Sequence, residues 1–228
     1  MSERLTVEVW TDLICPWCWI GEQRFARALA AFPQREHVAL AHRSFRLMPG
    51  QRPMPTVDML AGRFGSPQQA RAMMAHVEGE GAKEGLAYRL SNSLAGDTLD
   101  AHRLVKLAEA SGLGEAAIER LYRAYFIEER SLFDHATLLA LVTEVGVDEA
   151  RAAEVLRTDA FAAEVLADQR AVQAMGATGV PFFVIGGRVA VSGAEPPATF
   201  LGALEQAWAG RTPSVQAAGE VCGPDSCA

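Results

Sequence analysis

Cysteine is scarce: four residues in 228 are too few to staple a chain of this length, so the fold must rest on a buried core. Basic clusters are missing as well. Twenty-one Lys and Arg stand against 28 Asp and Glu, for a formal net charge of −7, and no basic run exceeds two residues. That balance argues against a nucleic-acid partner. No apolar stretch approaches the ~20 residues needed to cross a bilayer, and no membrane partner is expected. The opening segment MSERLTVEVW holds no apolar core and no small-residue cleavage site, so cytoplasmic residence is expected. HExxH pairs, glycine-rich phosphate loops, EF-hand loops and a supported Ser/His/Asp order are all absent.

What remains is an ordinary globular composition, 50% apolar and 21% charged, long enough for one large domain or two small ones. Residues 5–9 alternate as a short strand, and residues 38–47 alternate as a second. The turn-rich segment from Met48 to Pro55 then marks a boundary. Between about 56 and 176 the spacing becomes helical and predicts five or six helices. Ser66-Pro67, Asp134 and Asp148 supply start signals. Ile118, Leu121, Tyr122, Tyr125 and Phe126 form one apolar stripe; Phe161, Val165, Leu166, Val172 and Met175 form another. Residues 180–185 and 188–191 predict a hairpin closed by a two-residue primed turn at Gly186-Gly187. Pro197 opens a last helix with Phe200, Leu201, Leu204 and Trp208 on one face. The tail, 211–228, has no apolar stripe and reads as a flexible tether.

The four cysteines fall into two close pairs, Cys15/Cys18 and Cys222/Cys227. A CxxC is ambiguous between redox chemistry and half a zinc site, but zinc needs two more ligands, and the nearest candidates lie in the far tail. The strand–CxxC–helix setting favours redox, and no metal is expected. Residues i and i+3 on a helix share a face, so the two sulfurs can form and break a disulfide. Cys15, at the positive end of the helix dipole, is the expected nucleophile. Pro16 and Trp17 fix the turn, and Cys18, one turn deeper, is expected to resolve the mixed disulfide.

CPWC after a short strand, a helical block, then Gly179-Val180-Pro181-Phe182-Phe183 and a closing hairpin and helix together resemble the DsbA-like branch of the thioredoxin superfamily. The segment WTDLICPWCWIG from Trp10 to Gly21, with Ala101-His102-Arg103, is similar to its FrnE subgroup. The resemblance implies an α/β thioredoxin fold with a large all-helical insertion: residues 1–51 and 177–210 form the discontinuous thioredoxin-fold domain, and 52–176 the insertion. It also implies that Pro181, preceded by Val180, is a cis-proline facing the CxxC and leaving a backbone edge for extended substrate. Kappa-class glutathione transferases and 2-hydroxychromene-2-carboxylate isomerases share this architecture with Ser in place of the first Cys. Both cysteines here favour a dithiol cycle, that is, a disulfide oxidase, reductase or isomerase with its direction of electron flow open. The partners expected are protein or small-molecule thiols and disulfides and a cellular thiol reductant or oxidant. No resident cofactor is expected, with glutathione as a candidate co-substrate. The rivals are a glutathione-dependent isomerase or transferase and a thiol-based holdase or metal buffer.

Other residues carry two readings each. Asp12, three residues before Cys15, is either a proton acceptor or a loop brace. His102 is either a groove acid–base or a structural hydrogen-bonding residue. Trp17 is expected on an apolar rim and Trp19 in the core. Met48, Met54, Met59, Met73 and Met74 read mostly as core, without a role. Cys222/Cys227 is expected to shuttle electrons to or from Cys15/Cys18, ahead of a static disulfide that pins the tail and of a metal site.

Overall fold

The computed structural model describes residues 4–210. The opening strand β1 (Leu5–Thr11) runs beyond its alternating segment. Leu5, Val7 and Val9 face Phe25, Phe183, Ile185, Phe200 and Leu204, whereas Trp10 faces Phe45, Val172, Phe182 and Val184. The alternation fades there because both faces of the strand are covered.

Helix α1 (Pro16–Ala31) crosses over to β2 (Val38–Ser44), parallel to β1, because parallel neighbours need a crossover rather than a tight turn. Strands β5 (Phe182–Ile185) and β6 (Val189–Ser192) complete a sheet of order β2-β1-β5-β6, with β5 antiparallel to both neighbours. Gly186 and Gly187 take φ of +60° and +66°, open to glycine at no steric cost. Ile185 pairs with Val189, so the loop spans 186–188, one residue longer than expected. Helix α9 (Pro197–Ala209) packs beside α1 through Phe25, Phe200 and Leu204. These elements make the thioredoxin arrangement.

Between β2 and β5 the described residues hold seven helices rather than five or six: α2 (Thr56–Phe64), α3 (Pro67–Lys83), α4 (Leu99–Glu109), α5 (Gly114–Phe126), α6 (His135–Glu144), α7 (Glu149–Arg157) and α8 (Ala162–Ala174). Several are only two or three turns long, and periodicity alone merges such neighbours. Gly65 at φ +100° ends α2 just before Ser66 caps α3 on Gln69 N–H. Asp134 and Asp148 cap α6 and α7 as expected. A two-residue antiparallel pair, β3 (Met54–Pro55) with β4 (Leu94–Ala95), ties the two ends of the α2–α3 segment. The α5 stripe is buried throughout, with Tyr122 stacked on Trp19 at 5.5 Å, so Trp19 is core.

The stripe expected on α8 is only partly right. Val165, Gln169 and Val172 are buried, whereas Leu166 and Met175 are exposed and Phe161 precedes the helix at φ +64°. Only one narrow face turns inward, following the i, i+4, i+7 spacing from Val165. That face meets the sheet: Val172 joins Trp10, Phe45 and Phe182, and the Trp10 indole N–H donates to the Asp168 carbonyl at 2.8 Å. Helix α8 therefore covers the sheet face opposite α1 and α9, although the expected boundary at residue 177 groups it with the insertion.

Candidate active site

The chain leaves β1 and turns at once into α1. The Cys15 N–H donates to the Asp12 carbonyl at 3.0 Å, and Cys15 is the N-cap residue, with extended backbone and Pro16 opening the helix behind it. Proline suits this place, where its missing N–H is one the helix would leave unpaired anyway. The Tyr88 hydroxyl donates to the Pro16 carbonyl at 3.0 Å and fixes the turn from α3's trailing loop.

Both sulfurs are free thiols in unlike settings. Cys15 retains 6% exposure and Cys18 none. Burial pushes the Cys18 pKa well above its usual value, and the adjoining Cys15 sulfur raises it further; the Thr11 hydroxyl and the Asp12 backbone oppose this by hydrogen bonding. The Val180–Pro181 peptide is cis, and Cys15 Sγ donates to the Val180 carbonyl at 3.7 Å. The two lie this close because residue 21 is glycine: a Cβ there would sit 2.9 Å from Pro181 Cγ and 3.4 Å from Ala194 Cα.

A groove of about 510 Å³ opens at Cys15, lined by Pro16 and Trp17 together with Leu47, Met48, Met59, Phe64 and Met73. Its walls are mainly apolar, and Leu47, Phe64 and Met73 are more than a third exposed. This corrects the expectation for the methionines. Met48, Met54 and Met59 are half-buried, with Met48 and Met59 in the groove wall, and Met73 is exposed, leaving only Met74 of the five in the core. One signal was available in the apolar positions Met59, Leu60 and Phe64 of α2; none of them is buried and all three line the groove. Its apolar side looks into the groove.

Asp12 and His102 lie beneath this surface rather than on it. The Asp12 carboxylate is fully buried and accepts from Leu47 N–H at 2.7 Å and the Thr98 hydroxyl at 2.8 Å. His102 Nε2 lies 3.0 Å from the Phe45 carbonyl and 3.6 Å from Asp12 Oδ1. The pair ties α1's approach loop to β2's exit and to α4. Trp17 stands on the groove wall, 6.4 Å from the His76 ring. Asn92 and Ser93 bond to Glu129 and Thr56, with Ser93 in the groove wall. Cys222 and Cys227 lie outside the described residues. Among those described, no three His, Cys, Asp or Glu side chains group as metal ligands.

A family profile described as the DSBA-like thioredoxin domain matches residues 6–205. The crystal structure of a probable DsbA oxidoreductase from Streptomyces coelicolor is 44% identical, covers 99% of both chains and superposes with a TM-score of 0.89. A cytosolic disulfide reductase, DsbM, from Pseudomonas aeruginosa with GSH shares the fold at 22% identity and TM-score 0.63, over 90% of this chain and 96% of its own. An uncharacterized protein of Bacillus subtilis, YwbO, is 25% identical over 185 residues, 80% of this chain and 88% of its own.

Proposed function

The chain belongs to the DsbA-like thioredoxin-domain family, and from that premise we propose that Cys15 and Cys18 exchange disulfides with polypeptide substrates. The observation that carries the reading is the asymmetry of the pair: Cys15 opens onto an apolar groove beside the Val180 carbonyl, and Cys18 is sealed behind it. In the reducing direction Cys15 attacks a substrate disulfide and expels one thiolate. Cys18 then attacks Cys15 Sγ and expels the second, leaving a Cys15–Cys18 disulfide and two substrate thiols. Run backwards, the same steps oxidise a dithiol. Val180 and Pro181 offer a backbone edge along which an extended peptide aligns its sulfur with Cys15, while the groove takes its apolar side chains.

Glutathione is the proposed small-thiol partner and the cytoplasm the proposed compartment; the DsbM relative, a cytosolic disulfide reductase seen with GSH, supports both. No helix among the described residues is long and apolar enough to cross a membrane. The Cys222/Cys227 pair is proposed as a tethered electron shuttle; unchanged turnover in a Cys222→Ser/Cys227→Ser variant refutes that part alone.

The test of the main reading is trapping. With a peptide disulfide, Cys18→Ser should accumulate peptide on Cys15 and lose turnover, and Cys15→Ser should capture nothing. Full turnover in Cys18→Ser refutes the dithiol cycle and promotes the glutathione-dependent isomerase reading.

A further inference from the structure

Cys18 must give up a proton when it attacks the mixed disulfide, yet its thiol is buried completely. A hydrogen-bonded file leads away from it. The Thr11 hydroxyl adjoins the Cys18 sulfur, whose pKa it lowers, and touches the Tyr122 hydroxyl. Tyr122 donates to Glu22 Oε1 at 3.1 Å, and Glu22 Oε2 lies 3.3 Å from His42 Nε2. Thr11 and Tyr122 are buried, whereas the Glu22 and His42 side chains retain 15% and 9% exposure. Tyr122 O–H donates to the Glu22 carboxylate, and the Thr11 hydroxyl, a rotor between its two neighbours, can turn from donating to the sulfur to accepting from Cys18 S–H while donating to Tyr122.

We infer that Thr11 and Tyr122 relay the Cys18 proton to the Glu22–His42 pair at the protein's edge. The inference rests on the dithiol reading and deepens it. As Cys18 attacks Cys15 Sγ, the Cys15–substrate S–S bond breaks and the Cys15–Cys18 bond forms. The substrate leaves as thiolate carrying the electron pair, and one proton moves along the file onto Glu22 and out through His42. The reverse passage reprotonates Cys18 when the disulfide is reduced. Tyr122 stays a neutral phenol because burial, with Glu22 and the cysteines nearby, raises its pKa; it passes a proton without holding one. Other titratable groups around the file are Cys15 and Tyr88 near Cys18, and Glu109 and Glu115 near His42.

Glu22, Tyr122 and His42 act through Cys18, so they are positioning residues, and the readout must isolate its step. Full-length protein carrying Cys222→Ser and Cys227→Ser, reduced and mixed with 5,5′-dithiobis(2-nitrobenzoate), should release one thionitrobenzoate as Cys15 reacts and a second as Cys18 closes the disulfide. Glu22→Gln should slow the second phase by roughly 100-fold, the low end of what a positioned proton acceptor contributes, and move its rise to higher pH, with the first phase unchanged. Tyr122→Phe, which keeps the ring packed on Trp19, should do the same. An unaltered second phase in both variants, or an equal fall of both phases, overturns the relay while leaving the dithiol cycle intact. Release of a single equivalent by the parent protein overturns the cycle, and the relay with it.

Discussion

Gly21 occupies a tight contact in the site, and Gly21→Ala converts that contact into a measurable displacement. A Cβ at this position meets Pro181 Cγ at 2.9 Å, a distance that real Cβ atoms do not tolerate, and Ala194 Cα at 3.4 Å. Neither neighbour yields easily. Pro181 is a buried ring, and the Ala194 carbonyl is held by Arg24, itself paired with Glu80 and Glu84. Alanine gains about 1 kcal/mol over glycine in a helix interior, while overpacking costs about 1–3 kcal/mol, so the net change should fall between zero and a loss of about 2 kcal/mol. Gly79→Ala is the reference. Gly79 lies within α3 with nothing within 4 Å of its added Cβ, and should gain the full ~1 kcal/mol. Urea unfolding of the reduced proteins should separate the two variants by about 1–3 kcal/mol at equal slope. In function, the shift of α1 away from Pro181 should lengthen the 3.7 Å Cys15–Val180 contact and slow exchange with a peptide disulfide. Gly79→Ala should leave that rate untouched. Gly21→Ala as stable as Gly79→Ala and equally fast would refute the packing argument.

Burial alone would lower the His42 pKa, but the charge and hydrogen bond of Glu22, with Glu109 and Glu115 beyond, carry it above its ordinary value. Its contribution is therefore complete below about pH 6.5, the unfolded value, and fades as pH rises through the folded one. The stability gap between the parent and His42→Gln should shrink from pH 6 to 9 in thermal melts; parallel curves refute the assignment. Asp12→Ala strips the partners from Leu47 N–H and the Thr98 hydroxyl and should cost about 3 kcal/mol in urea unfolding. A cost under about 1 kcal/mol would mean the buried carboxylate is no brace. Phe64→Ser with Met73→Ser removes exposed groove wall, at little cost to folding. If the groove holds apolar side chains, kcat/KM for an apolar peptide disulfide should fall about tenfold, the worth of about 1.4 kcal/mol of lost contact; a small hydrophilic disulfide should be unaffected, and equal effects on both refute the groove's role.

The local frame of the candidate site was legible because near neighbours set it. Cys15, Pro16 and Cys18 are joined to their strand and helix by sequence neighbourhood, and the caps at Ser66, Asp134 and Asp148 act on backbone three residues away. The groove and the relay were not. Periodicity says that a helix has an apolar side but not what that side meets, so Met59 reads as core until α2 is seen to line the same groove as Cys15. Thr11, Glu22, His42 and Tyr122 lie up to 111 residues apart, on four different elements, and no pattern in one segment registers such a file.

The sequence by itself determined that Cys15 and Cys18 stand at a strand-to-helix turn and that β1, α1, β2, the closing hairpin and α9 follow in order, since turns, caps and alternation are set by near neighbours. Only the tertiary structure decided which sulfur is sealed, what the methionines line and where a proton from Cys18 can go, because burial and long-range hydrogen bonds exist only once distant segments have packed together.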